Sequence, residues 1–362
     1  METVWIHRLA CALYKGRGGT LLTYGRPQRC AYLFPPDEEM NALKVGVLGA
    51  GIAGLAAAGR LKARGHEVTV FDKGRGPGGR ASSRRRGLFH FDHGAQYFTA
   101  RQEEFSAAVG GWLAAGVVAP WDGYIVSLVG GVTSPLKSET RRYVGQPQMS
   151  RLAKHLAREL DVRCGVLVDA LTRVDGLWMP EEGGEILGAF DRLIVAMPPA
   201  QAAQLLEADS PLGGVARSVE MRPCWCVMLG LEARLEVPFD GAFCNESALS
   251  WISRDNSKPG RPQTEAWVLH ASPEWTEEHL HEEREQVVKA LTAEFEEVTG
   301  VVLPPVSHRD AHRWGLAQPA SEEPVQALCD LERGLALACG AYVGGRVEGA
   351  YMSGLAAAAG IG

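Results

Sequence analysis

The run Gly49-Ala50-Gly51-Ile52-Ala53-Gly54 constrains the fold of this chain more tightly than any other stretch. It follows directly on Val45, Val47 and Leu48, which read as a short apolar strand. It leads into Leu55, Ala56 and Gly59, small or apolar positions that share one helical face with Ile52. Strand, glycine turn and helix in that order make a dinucleotide-binding crossover. Gly49 allows the tight turn out of the strand, Gly51 leaves the backbone open to a diphosphate, and Gly54 lets the helix lie close on the sheet. The first-turn N–H groups, those of Ile52 and Ala53 among them, have no partner inside the helix, so with the helix dipole they attract an anion. Gly65 is placed to end the helix, and Val68-Thr69-Val70-Phe71 reads as the next strand, with Asp72 at its carboxyl end. A carboxylate there accepts hydrogen bonds from both ribose hydroxyls of an adenosine and disfavours a 2′-phosphate.

The fingerprint alone leaves NAD and FAD open, and the residues after Asp72 discriminate between them. The chain continues Lys73-Gly74-Arg75-Gly76-Pro77-Gly78-Gly79-Arg80 in place of a second crossover helix. Glycines permit close approach, and the planar fork of Arg80 suits phosphate oxygens. An acid followed by Gly-Gly-Arg resembles the extended FAD fingerprint of the glutathione-reductase-type flavoproteins, in the branch that holds amine oxidases and renalases. The resemblance implies FAD as cofactor, with Lys73, Gly79 and Arg80 along its diphosphate and ribityl chain.

Further segments carry the same resemblance. Asp92-His93-Gly94-Ala95-Gln96-Tyr97 is similar to a renalase-family segment that lies against the flavin, which implies contact from Gly94, Ala95 and Gln96. Tyr143-Val144-Gly145-Gln146-Pro147-Gln148-Met149 and the return strand ending at Ala196-Met197-Pro198 also look like that family. Near the C-terminus, Leu335 to Gly340 reads as a buried strand, followed by Arg346-Val347-Glu348-Gly349-Ala350 and a small-residue helix. By resemblance, Gly340 and residues Arg346 to Ala350 meet the flavin, the helix dipole stabilising negative charge on its pyrimidine edge. The family commonly has Gly-Asp where this chain has Gly340-Ala341. Loss of one hydrogen bond to a charged group is worth about 1.5–3 kcal/mol, roughly a 10- to 100-fold weaker FAD. The expected test is FAD retention in the wild type against Ala341→Asp.

Domain organisation follows from the same landmarks. Residues 44–105, 145–206 and 331–362 are expected to form an α/β Rossmann-like FAD-binding domain. Residues 106–144 and 207–330 are expected to form a discontinuous, mainly antiparallel-sheet substrate domain, an arrangement like that of p-hydroxybenzoate hydroxylase. Within the second, 101–119 and Thr276 to Val298 read as helices, Cys224 to Leu231, Ala248 to Ser253 and Ala266 to His270 as strands, and Ser253 to Gly260 as a polar turn. Trp251, Trp267, His270, Trp275 and Trp314 are candidates to line a substrate cavity, and His270 and Trp314 match positions that do so in renalase-like proteins. Arg84-Arg85-Arg86 reads as a solvated hairpin loop, with contact to the cofactor's phosphates or an anionic substrate as the alternative. Residues 1–43, basic and with only one acid before Asp37, are expected to be a disordered extension, as a targeting segment or an upstream start.

A formal net charge of −6 gives no basic field for nucleic acid, and no apolar run is long enough to span a bilayer. Eight scattered cysteines without C-x-x-C spacing suit a reducing, cytoplasmic setting, and the Cys224-Trp225-Cys226 pair reads as core. His90 and His93 face opposite sides of a strand, so no metal site is expected. The chemistry the resemblance implies is hydride transfer from a small molecule to flavin N5, with O2 taking the electrons as hydrogen peroxide. Dihydronicotinamide isomers of NAD(P)H are the favoured substrates. An amine oxidase or desaturase, and a nucleotide-binding protein without turnover, stay open beside it.

Overall fold

The computed structural model describes residues 42–136, 140–207, 210–325 and 328–362. The expected extension at residues 1–43 lies, up to residue 41, outside the described residues.

Two sheets set the architecture. The first has six strands in the order Cys329–Asp330, Leu335–Leu337, Arg192–Val195, Lys44–Leu48, Glu67–Asp72 and Asp161–Cys164. All neighbours are parallel except the first pair. Lys44–Leu48 is therefore central, with Leu48 opposite Phe71 on one side and Val195 on the other. Burial on both faces explains why these strands are continuous apolar runs. Helix Ile52–Ala63 packs on one face together with the C-terminal helix Val347–Ile361. Gly354 makes that contact possible, since a Cβ there would lie 2.1 Å from the Ala53 carbonyl oxygen. Small residues on both helices let them share one layer.

The second sheet has seven strands in the order Val306–Pro319, Met221–Leu231, Ala266–Ala271, Leu249–Arg254, Gly241–Asn245, Ile125–Val129 and Val132–Pro135. It is antiparallel apart from the pairing of Gly241–Asn245 with Ile125–Val129. Period-two alternation assigns its faces. Trp225, Val227, Leu229, Trp267 and Leu269 pack with Val287, Leu291 and Phe295 of helix Arg284–Thr299. Cys226, Met228, Ala266 and Val268 turn the other way, toward Phe91 and Trp314. Among the described residues no helix is long and apolar enough to cross a membrane.

Several local expectations need correction. The helix expected over Thr276 to Val298 is two, Pro273–Glu278 and Arg284–Thr299. Glu283 and Gln286 form a capping box that starts the second one afresh. Arg84–Arg86 does form a hairpin with Phe89–Phe91, with Arg85 and Arg86 exposed as expected; its side chains are nonetheless tied down, Arg84 donating to Asp310 Oδ2 at 3.0 Å and Arg85 to Gln148 Oε1 at 3.0 Å. Trp267 and Trp275 lie on the helix-covered face of the second sheet, away from any cavity between the sheets. Cys224 and Cys226 are free thiols, and burial raises both, Cys224 to about 12.

Candidate functional site

The glycine turn at the end of Lys44–Leu48 separates packing from binding. Gly49 has φ +115°, and a Cβ on it would lie 2.4 Å from the Ala196 carbonyl oxygen; one on Gly54 would lie 1.9 Å from the Gly49 carbonyl oxygen. Both positions are closed by the protein itself. A Cβ on Gly51 would meet nothing within 4 Å, which leaves the backbone open on the side where helix Ile52–Ala63 begins. That helix has neither a side-chain cap nor an acid in its first turn, so the amides of Ile52 and Ala53 keep their capacity for an anion. Gly79 closes over this spot, its Cβ position 3.5 Å from Gly51 Cα, held there by the Gly78 amide donating to the Ala50 carbonyl at 2.9 Å.

Asp72 stands at the expected strand end. Its Oδ2 accepts from the Ala50 amide at 2.6 Å and its Oδ1 from the Gly74 amide at 2.7 Å, each oxygen keeping a further lone pair for a ribose hydroxyl. Lys73 follows on the same turn. Arg80 spans toward the other end of the chain, donating to the Ala317 carbonyl at 3.2 Å and to Cys339 Sγ at 3.1 Å. The Arg80 carbonyl in turn accepts from the Ala95 amide at 2.9 Å, and only a glycine fits at 94, where a Cβ would lie 2.0 Å from that oxygen. The Gly-Gly-Arg and Gly-Ala-Gln segments are thus pinned to each other. These groups fit an extended dinucleotide: an open glycine and uncapped helix for a diphosphate, a carboxylate for a ribose, and glycine-lined backbone for a flat ring.

Gln96 is buried and fully engaged. It donates to the carbonyls of Asp92 and Gly94, and its Oε1 accepts from Ser253 Oγ at 2.7 Å and Lys258 Nζ at 3.1 Å. Lys258 belongs to a buried network that the expected polar turn did not reveal. Asp92, Asp255, Lys258 and Arg261 are each no more than 5% exposed. Lys258 pairs with Asp255, Arg261 pairs with Asp92, and Lys258 Nζ lies 3.6 Å from Asp92 Oδ2. Asp92 also accepts from the Ser83 hydroxyl at 2.6 Å and the Met149 amide at 2.9 Å. Burial alone would raise the Asp92 carboxyl, but Arg261 and Lys258 hold it below the ordinary carboxylate range. Burial, and then the charge of Asp92, push Asp255 up. The charge of Ser-Arg-Asp-Asn-Ser-Lys-Pro-Gly-Arg by itself reads as a solvated turn, and only its partners Asp92 and Gln96 make it a buried network.

Above Gly94 lies a cluster of rings. The His93 carbonyl accepts from Trp314 Nε1 at 2.8 Å, and His270 Nε2 lies 3.0 Å from the same oxygen. The partner being a carbonyl assigns the His270 proton to Nε2. Trp314 reaches within 3.3 Å of a Gly94 Cβ position, and the rings of His93 and His312 pack against it at 5.0 and 4.4 Å. The two expected pocket residues are therefore brought together. Burial, reinforced by Arg84, lowers His93 to about 3 and His312 to about 4, and burial lowers His270 to about 4. All three are neutral at pH 7. From pH 6.5 down to about 4 the unfolded chain binds protons that the folded one refuses, so stability falls as pH falls through this window. Chemical denaturation from pH 7 to 4 is expected to show a shallower decline for His270→Gln than for wild type, and parallel curves would count against the assignment.

The C-terminal positions divide. Gly340 is buried against Ala350, and Val347 is buried at the start of its helix. Glu348 reaches out of the helix and accepts from the Arg101 amide at 2.8 Å and the Gln102 amide at 2.7 Å, anchoring helix Glu103–Ala114. Arg346, with φ +66°, is half of an exposed pair with Glu322 at 3.1 Å. Gly349 packs on Val343. Ala341 belongs to the apolar cluster of Leu48, Phe71 and Leu337, so an aspartate there would bring a carboxylate into apolar surroundings.

Comparison with known proteins agrees with this construction. A model of an NAD(P)-binding Rossmann-like domain matches residues 47–111, and one of the flavin containing amine oxidoreductases matches residues 123–362. Among solved structures, a candidate protoporphyrinogen oxidase from Exiguobacterium sp. 255-15 superposes with a TM-score of 0.73 at 14% identity, over 89% of this chain and 99% of that one. Cyclohexylamine oxidase from Brevibacterium oxydans IH-35A superposes with a TM-score of 0.67 at 14% identity, over 88% and 98%. A 4,4'-diapophytoene desaturase from Staphylococcus aureus (strain Newman) is 48% identical over 52 residues, 14% of this chain. The chain spans only 10% of the length of that curated relative. The match across residues 123–362 exceeds half of the sequence, and on it the chain belongs to the flavin containing amine oxidoreductase family.

Proposed function

We propose that this protein is a renalase-like oxidase that takes hydride from a small dihydronicotinamide nucleotide and delivers the electrons to O2. The observation that carries the reading is the neutral roof, in which one carbonyl oxygen, that of His93, accepts from both His270 and Trp314 above Gly94. Two further polar atoms beside this roof, His93 Nδ1 and Trp251 Nε1, are buried without a hydrogen-bond partner among the described residues. A flat, carboxamide-bearing ring supplies partners for such atoms and stacking for such rings. An ammonium substrate gains less, because the Arg84 cation lies 3.3 Å from the His312 ring while the histidines are neutral.

FAD, when bound, supplies a hydride acceptor at N5 and returns the electron pair to O2 as hydrogen peroxide. The chain's own part is placement. Gly49, Gly51, Ile52, Ala53, Gly54, Asp72, Gly79 and Arg80 hold the dinucleotide, in this reading, and Gly94, Ala95 and Gln96 line the ring. The Lys258 network keeps Gln96 fixed from behind. His270, with its proton on Nε2, has a lone pair on Nδ1 that accepts a carboxamide N–H. Residues 44–105, 145–206 and 331–362 serve the cofactor, and 106–144 with 207–330 serve the substrate.

Anaerobic mixing with 2- or 6-dihydronicotinamide nucleotides is expected to bleach the flavin within seconds, and re-aeration to release peroxide. A second reading is favoured by the likeness to cyclohexylamine oxidase, under which an amine bleaches the flavin and neither isomer does.

A further inference from the structure

A second recess opens beside Gln96, and its chemistry differs from that of the roof. It is a cleft of about 260 Å³ lined by Tyr97, Thr99, Arg101, Leu136, Thr140, Arg142 and Phe243. No carboxylate is among these residues. Arg142 lies over the Tyr97 ring, 5.4 Å from its centroid, and neither Arg101 nor Arg142 forms an ion pair among the described residues. Thr99, Thr140 and Tyr97 bring neutral hydroxyls to the wall, and Leu136 and Phe243 are its apolar part. Phe243 packs on Trp251 at 4.7 Å, and Trp251 on Tyr97 at 5.6 Å.

Position follows from two anchors. Tyr97 is the residue after Gln96, and the Arg101 amide is fixed to Glu348 in the first turn of helix Val347–Ile361. The cleft therefore adjoins both segments assigned above to the flavin ring. Two guanidinium forks beside aromatic rings, with no acid among the described lining residues, suit an anion carried on a flat or sugar-bearing body, since Arg binds phosphate bidentately and stacks on rings.

We propose that this cleft is the phosphate subsite of the substrate, with Arg101 and Arg142 gripping the 5′-phosphate of a nicotinamide nucleotide whose ring lies under His270 and Trp314. The inference rests on the dihydronicotinamide reading and narrows it: substrates bearing phosphate are preferred over their dephosphorylated nucleosides. A charge-assisted contact of this kind is worth about 10- to 100-fold in affinity.

The test compares 6-dihydronicotinamide mononucleotide with 6-dihydronicotinamide riboside, which differ by the phosphate alone, in anaerobic flavin reduction by the holoenzyme. The half-saturation constant of the nucleotide is expected to be at least roughly tenfold lower, and the ratio of the two constants to approach one in the Arg101→Gln/Arg142→Gln variant. A ratio near one in wild type, or one unchanged in the variant, overturns the subsite. Should neither compound bleach the flavin, the oxidase reading fails separately, and AMP titrated into the holoprotein against tryptophan fluorescence decides the cleft. Binding to wild type that is lost in the double variant supports the subsite, and no difference between the two proteins overturns it.

Discussion

Lys258→Met is expected to lower the stability of the protein by about 3–5 kcal/mol, the usual consequence of removing one partner from a buried ion pair. The ammonium is surrounded by Asp255, Asp92 and Gln96, all buried, so its loss strands carboxylate charge where water cannot reach it. A fall in melting temperature on the order of 10 °C follows from that free energy. Asp255→Asn combined with Lys258→Met removes both members of the pair, and the double variant is expected to recover a large part of the loss. Thermal unfolding of the two variants checks this; a single variant as stable as wild type would refute it. The network joins Ser83, Asp92 and Met149 to Asp255 and Arg261, so it ties the segments before Gly94 and Ser150 to the end of the second sheet's strand Leu249–Arg254.

The second large effect is on the cofactor. Gly51→Asp places a carboxylate where the proposed site would receive the diphosphate, and two unit charges ~4 Å apart at an effective dielectric of ~20 repel by about 4 kcal/mol. FAD affinity is expected to drop roughly a thousandfold. The fold should survive, because a side chain at 51 meets no protein atom within 4 Å of its Cβ. Gly54→Val is the contrast: its Cβ would sit 1.9 Å from the Gly49 carbonyl oxygen, so it damages packing before it damages binding. Fluorescence titration with FAD and melting curves of both variants separate the two roles. Equal FAD affinity for Gly51→Asp and wild type would contradict the assignment of the turn.

How much of this was legible in the sequence depended on how local each cause is. The glycine turn, the strand through Phe71 and Asp72 at its end follow from neighbours a few residues apart, and the structure has them where the pattern predicts. The convergence of His270 and Trp314 was legible only through resemblance, since it depends on strands Ala266–Ala271 and Val306–Pro319 flanking Met221–Leu231 in one sheet. The Ser253 to Gly260 segment reads as an exposed turn because charge density argues for solvent unless the counter-ions are known. Here Asp92 and Gln96, about 160 residues earlier in the chain, supply them. Trp267 and Trp275 could not be told from cavity aromatics without knowing which face helix Arg284–Thr299 covers. The roles of Arg346 and Glu348 likewise rest on distant partners, Glu322 and the amides of Arg101 and Gln102.

The central claim is that one crevice, built from the glycine turn, Asp72, the Gly78 to Arg80 segment and Gly94 to Gln96, grips FAD along its full length. Isothermal titration of deflavinated protein with FAD and, separately, with FMN tests it most directly. The account predicts one FAD per chain with tight binding, and far weaker binding of FMN, which lacks the adenosine and the bridging diphosphate that Asp72 and Gly51 would hold. Absence of heat with FAD, or equal affinity for the two flavins, would contradict it.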